Sequence, residues 1–218
     1  VYKGPVSALY GNFNRGGLLR IDTRRGGDYG LVDLNTGANG LFDVQGAWGH
    51  AFDNGHQVDL AAQHFRSDGF RPQSDSDRTT LAGSYAVPLG ERTRIGVSGR
   101  WHTADSRNAS YLTQAQYLVD PYGIDPGVQN DGAEKDFAIG RIDLDHSLTD
   151  SAKLLGFVYT TQQDFSRWFS RPSGGTWRQR EETYDREVYG AGLNLNARST
   201  LGGVPVSWVA GVEAFQET

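Results

Sequence analysis

Residues 81–101 read LAGSYAVPLGERTRIGVSGRW, and this stretch decides the fold. Two alternating runs flank a tight turn. In the first, Leu81, Gly83, Tyr85 and Val87 alternate with Ala82, Ser84 and Ala86. In the second, Ile95, Val97, Gly99 and Trp101 alternate with Gly96, Ser98 and Arg100. A period of two sends successive side chains to opposite faces of a strand. Two such runs about a short PLGER connection (88–92) predict an antiparallel hairpin. One face is apolar with an aromatic near the strand end, and the other is small and polar.

The same rhythm spreads in both directions. Phe42, Val44, Gly46 and Trp48 oppose Asp43, Gln45 and Ala47; Val58, Leu60 and Ala62 oppose Asp59, Ala61 and Gln63. Ile142 and Leu144 oppose Asp143 and Asp145. Leu155, Phe157 and Tyr159 read as the next apolar set. Tyr189, Ala191, Leu193 and Leu195 oppose Gly190, Gly192, Asn194 and Asn196. Val206, Trp208, Ala210 and Val212 oppose Ser207, Gly211 and Glu213. The aromatics Trp48, Trp101, Tyr159, Tyr189 and Trp208 lie near strand ends on the apolar face, where a membrane barrel carries its aromatic girdles. The second face lines up Asp43, Gln45, Asp59, Gln63, Arg100, Asp143, Asp145, Asn194, Asn196 and Glu213 as lumen residues. A soluble sandwich shares this alternation, so the period alone leaves both open.

The connections separate the two. Residues 35–40 form a moderate connection, 52–56 a tight one and 65–77 a long one. Residues 88–92 are tight, 104–135 very long, 148–152 tight, 165–183 long and 199–205 fairly short. Short turns at one end and long loops at the other is the habit of outer-membrane barrels. Loops beyond about 12–15 residues usually carry function. The pattern predicts strands at 29–37, 39–51, 56–67, 76–88, 92–103, 135–148, 152–164, 183–198 and 204–216. Bacterial single-chain barrels have even strand counts, and open edges do not sit in lipid. Nine strands are therefore expected to be part of a larger barrel. The start at Val1 and the finish straight after a strand-like run carry the same expectation of a piece.

Bulk properties bound the rest. The chain has no Cys, which excludes disulfides and thiolate metal sites. Its formal net charge is -5 with no basic block, against a nucleic-acid partner. No run approaches the ~20 apolar residues of a membrane helix.

Residues 4–26 carry a resemblance. The run GPVSALYG (Gly4, Pro5, Ser7, Leu9, Tyr10, Gly11), then Gly16 and Gly17, then LLRIDTRRG, resembles the end of the plug domain of TonB-dependent outer-membrane receptors. SDGFR (Ser67–Arg71) after the third strand is similar to what members carry there. Arg20 departs, standing where many members have Asn. Pro5 suits a first helical position and Gly11 the residue past a helix end, so Pro5–Tyr10 is expected to form a short helical turn. LLRIDT is expected to be a strand with Leu19 and Ile21 on one face.

The resemblance implies an all-β fold, an antiparallel transmembrane β-barrel of roughly 22 strands closed by a plug. Residues 1–26 would end the α+β plug and 27–218 would begin the barrel. It implies residence in the outer membrane of a Gram-negative bacterium, among outer-membrane lipid and lipopolysaccharide. It implies import of a scarce extracellular small molecule, by default a ferric siderophore, with cobalamin, haem or a glycan as other cargoes. Energy would come from the TonB complex, whose contact segment lies upstream in this family. The readings of another class are a surface β-rich adhesion or carbohydrate-binding protein and a non-specific porin.

No catalytic constellation, resident cofactor or metal site is expected. His50, His56, His64, His102 and His146 stand singly, and Ser74–Asp77 lack the Gly and terminal Glu of a calcium loop. The chemistry lies in the long loops. Loop 104–135 holds Tyr111, Tyr117 and Tyr122; loop 165–183 holds Trp168, Phe169, Arg171, Trp177, Arg178 and Arg180. Aromatic rings beside Arg suit an anionic, partly aromatic ligand through stacking and charge-assisted hydrogen bonds. The same Arg residues would also serve lipopolysaccharide phosphates or plain solvation.

Overall fold

The structure, a computed structural model, describes residues 2–4, 17–18, 26–128, 130–174 and 176–218. A two-stranded ribbon pairs β1 (Tyr2–Lys3) with β2 (Gly17–Leu18). Of the plug-like motif, Gly4 sits in a bend at φ +88° and Gly17 pairs with Lys3. Pro5, Ser7, Leu9, Tyr10, Gly11 and Gly16 lie outside the described residues, with the expected helical turn and nearly all of the LLRIDT strand.

The other strands among the described residues form one nine-stranded antiparallel sheet in which spatial order follows chain order. Its strands are β3 (Tyr29–Thr36), β4 (Phe42–Ala51), β5 (Gln57–Ser67), β6 (Ser76–Pro88) and β7 (Thr93–Arg107). They continue with β8 (Gly132–Thr149), β9 (Ala152–Ser173), β10 (Thr176–Leu201) and β11 (Val204–Glu217). Each of the nine expected strands is present.

Several boundaries differ from expectation: β7 runs on to Arg107 and β8 starts at Gly132, so their ladder shortens the expected 104–135 loop to 108–131, and two further differences have local physical reasons. β4 begins at Phe42, because Asn39 and Gly40 take φ of 57° and 65° in the turn before it. Paired positive φ values are what a two-residue primed turn needs to match strand twist. The larger difference concerns 165–183, expected as a loop. β9 instead runs on through it to Ser173, and β10 starts again at Thr176. Alternation persists there, but with Arg, Glu and aromatics in place of aliphatics. The ladder holds because Phe165 faces Tyr184 and Arg167 faces Glu182.

The sheet has two distinct ends. At one lie the turns 52–56, 89–92, 150–151 and 202–203; at the other lie 37–41, 68–75, 108–131 and the hairpin tip. β10 has 26 residues, roughly 85 Å at 3.3 Å per residue, whereas a tilted strand crosses a bilayer in about 9–11. The β9–β10 hairpin therefore projects far past any membrane-thick band.

Register assigns the faces, since residues directly opposite share one. Val58, Tyr85, Val97, Ile142, Val158, Ala191 and Ala214 form one cross-strand row on the apolar face. Asp59, Ser84, Ser98, Arg141, Tyr159 and Gly190 form a row on the polar face. Leu155, Phe157 and Tyr159 thus stand on the polar face, opposite Asp145, Asp143 and Arg141, and Tyr159 leaves the expected girdle. Leu154, Gly156 and Val158 take the apolar side. Both alternate sets of β9 are apolar, so period two could not choose; the neighbouring strands do. The arginine Cζ of Arg141 sits 4.1 Å from the Phe157 ring centroid, which makes that ring a polar-face residue in practice.

Among the described residues, no protein layer covers the apolar face. Trp48, Tyr85 and Trp208 are 47%, 44% and 42% exposed. Among the described residues the only buried apolar side chains are Ala109 and Val128, both in the 108–131 connection. The buried apolar side chains among the described residues thus sit in the longest connection, not under the sheet. No helix among the described residues is long and apolar enough to cross a membrane, which does not bear on crossing by strands.

Candidate functional site: the projecting hairpin and its docked loop

The extended ends of β9 and β10 present two different surfaces. On the polar-face side stand Phe165, Arg167, Phe169 and Arg171 of β9 against Tyr184, Glu182, Arg180 and Arg178 of β10. The rings of Phe165 and Tyr184 stack at 6.0 Å and 29°. Arg167 donates from Nε and Nη2 to Glu182 Oε2 at 2.9 and 2.6 Å, and Arg180 Nε lies 3.4 Å from Glu182 Oε1. These hydrogen bonds, led by Arg167, hold the Glu182 carboxyl below the usual carboxylate range. The pair therefore persists as pH falls through the ordinary range and breaks only below it.

Beyond that pair the charge is unbalanced. Arg171 and Arg178 are directly opposite one another, and neither has a carboxylate partner among the described residues. Like charges in register destabilise a ladder. Phe169 gives partial relief, with the guanidinium carbons of Arg167 and Arg171 at 4.9 and 5.9 Å from its ring centroid. Rings, fixed guanidinium groups and an unmet positive charge are the parts of an anion-accepting surface.

The structure brings Phe169, Arg171, Arg178 and Arg180 together on this surface. It separates Trp168 and Trp177 from them, on the opposite face. A Cβ at Gly127 would fall 2.1 Å from the Trp177 ring, so that ring packs against the Pro126–Val128 turn. Trp177 is a packing anchor rather than a free contact. Tyr111, Tyr117 and Tyr122 are 67%, 58% and 64% exposed.

The 108–131 loop is nonetheless well held. Asp131, only 3% exposed, accepts from Ser170 N at 2.7 Å, Ser170 Oγ at 2.6 Å and Gln179 Nε2 at 3.1 Å. Asp125 accepts from Gln116 Nε2 and Gly127 N at 2.6 and 2.8 Å. A short helix α1 (Gln114–Val119) starts at a Thr113–Gln116 capping box. Arg71 ties in the neighbouring loop, donating to Gly123 O from Nε and Nη2 and to Ser110 O from Nη1. In sequence Asp125 and Asp131 count only as loop charge; their burial depends on which strand the loop meets. Arg71 ends the SDGFR run.

At the other end of the chain, the entry into the sheet is pinned on the polar face. Asp59 accepts from Gly26 N at 3.1 and 3.2 Å, from the Tyr29 hydroxyl at 3.0 Å and from Ser84 Oγ at 3.2 Å. Gly26 is buried at φ +67°, where a Cβ would strike the Gln57 side chain. No group of three or more His, Asp or Glu among the described residues could hold a metal ion.

An uncovered apolar sheet face, a polar face with a pinned entry and long projecting connections are the features of a segment of an antiparallel β-barrel. The solved structures it resembles are of that kind. The siderophore receptor PiuA from Acinetobacter baumannii superposes at TM-score 0.79 with 18% identity, over 99% of this chain and 34% of that one. The open form of the ferric-catecholate import receptor Fiu from E. coli K12 gives 0.79 and 15%, over 99% and 38%. The ferric citrate transporter FecA, unliganded, gives 0.72 and 14%, over 86% and 28%. The chain spans about a third of the length of the first two. All are receptors or transporters rather than enzymes. No protein-family model and no curated protein sequence matches the chain.

Proposed function

We propose that this chain is the end of the plug (1–26) and the opening part of the barrel (27–218) of an outer-membrane receptor. The receptor binds a scarce extracellular ligand, by default a ferric siderophore, and imports it with energy passed on by TonB. The apolar face meets lipid and the polar face lines the lumen around the plug. The end with the 108–131 loop and the hairpin tip faces the cell exterior, with the short turns in the periplasm. The observation that carries the ligand class is the in-register Arg171–Arg178 pair without a counter-charge, on the lumen side beside Phe169 and Arg180. An anionic metal chelate would supply the missing charge and stack on the ring. The solved neighbours named for siderophore, ferric catecholate and ferric citrate support this cargo class.

The test is growth of the source bacterium under iron limitation on a panel of ferric chelates, with the gene present, deleted, or carrying Arg171→Ala with Arg178→Ala. One chelate should require the gene. The double variant should need about tenfold or more of it, since charge-assisted hydrogen bonds contribute roughly 1.5–3 kcal/mol each. Growth on every chelate regardless of the gene rules out the reading.

A further inference from the structure

A second pocket opens on the other face of the same hairpin. It holds about 280 Å³ and is lined by Gln73, Asp105, Arg107, Glu134 and Trp168, among others. Arg107, Gly132 and Trp168 form one cross-strand row. Gly132 adds no side chain, so the row is notched between a guanidinium and an indole. Asp105 and Glu134 are directly opposite in the next row, and neither has a hydrogen bond or ion pair among the described residues. Gln73 Oε1 is buried without a hydrogen-bond partner. The Gln73 backbone is held at φ +59°, and its loop is fixed by the Arg71 bonds and by Ser74, whose Oγ donates to Arg71 O at 2.6 Å.

This pocket looks away from the lumen. Asp105 and Arg107 share the face of Trp101, and Glu134 shares that of Ile142. Asp105 lies four residues past Trp101, about 13 Å along the strand. With the apolar face in lipid, a reading on which this inference rests, that height is the headgroup layer of the outer leaflet.

We propose that this pocket binds one sugar ring of an outer-leaflet glycolipid headgroup. The chemistry matches on three sides. Two unpaired carboxylates accept from ring hydroxyls; Arg107, weakly paired to Asp75 at 3.7 Å, donates to them; the Trp168 indole offers an apolar platform to the C–H face of the ring. The acceptors left unpaired outnumber the free donors, which suits a polyol rather than a phosphate.

The experiment is titration calorimetry on the full-length receptor in detergent. The probes are the core oligosaccharide released from outer-membrane glycolipid by mild acid, and the intact glycolipid. The oligosaccharide should bind, and Trp168→Ala and the near-isosteric Glu134→Gln should each weaken it at least tenfold, while Glu91→Gln in a far turn changes nothing. Pocket-dependent binding of both probes assigns the membrane glycolipid. Binding of the oligosaccharide alone keeps the sugar site but makes a soluble glycan its source. Binding of glycolipid without oligosaccharide, or binding insensitive to both variants, overturns the proposal. Gene-dependent growth on a ferric chelate without oligosaccharide binding removes the pocket alone; the reverse result removes the transport reading alone.

Discussion

The ring of Tyr159 occupies the space that a side chain on its cross-strand partner Gly190 would need: a Cβ built there falls 2.3 Å from Cε1. Phe157 does the same to Gly192 at 2.4 Å, and Tyr29 to Gly49 at 2.1 Å. All three pairs are on the polar face. Gly190→Ala should therefore cost about 1–3 kcal/mol by overpacking. The cost should shrink when combined with Tyr159→Ala, because the clash needs both groups. Thermal unfolding of the four proteins of that cycle in detergent checks it; strictly additive losses would refute the contact.

Neighbouring positions should tolerate change very unequally. Leu193 is in the apolar row with Leu144 and Val212, while Asn194 points to the polar face. With the apolar face in lipid, Leu193→Arg should cost about 2–4 kcal/mol near the midplane, and Asn194→Ser far less. Equal losses of folded protein on refolding into lipid vesicles would reverse the assigned orientation.

Asp164 should report on pH. It stands in one cross-strand row with Asp136 and Asp185, above the apolar band. Desolvation first, then Asp185, raise its carboxyl above the usual range. A raised acid binds its proton more tightly when folded, so this part of the hairpin gains stability as pH falls through that raised value and loses it as pH rises. Asp164→Asn should stabilise the hairpin at neutral pH and flatten this dependence. Amide exchange along 160–187 at two pH values would detect it, and an unchanged profile would count against the charge row.

Asp131 should govern the loop and not the barrel. Asp131→Ala removes three hydrogen bonds to β9 and β10 and leaves Ser170 N without its acceptor, about 1.5–3 kcal/mol at that contact. Limited proteolysis should then cut within 108–131 at a much lower protease dose, with barrel melting unchanged. Protection equal to that of the unaltered protein would show that Trp177 on Gly127 holds the loop alone.

Much of the architecture was legible because a strand writes its two faces into alternate residues. Leu81–Val87 and Ile95–Trp101 show their hairpin directly, and the PLGER and DNGH turns show which end is short. β9 shows where that legibility stops. Leu154–Tyr159 are apolar at nearly every position, so only the register against Asp143 and Asn194 tells inside from outside. The 165–183 segment was missed for a related reason: its alternation is of charge and ring, not of aliphatic and polar, and hydrophobic pattern is blind to it.

The candidate sites divide along the same line. Sequence alone determined that rings and arginines crowd into 165–183, that the sheet has one apolar face and that Gly4–Gly17 carry a plug-like motif. Only the tertiary structure decided that Arg171 faces Arg178 while Trp168 and Trp177 turn the other way, and that Asp131 is buried. Those facts depend on cross-strand register and on where a loop lands. Both are settled by contacts between residues far apart in the chain, which no local period encodes.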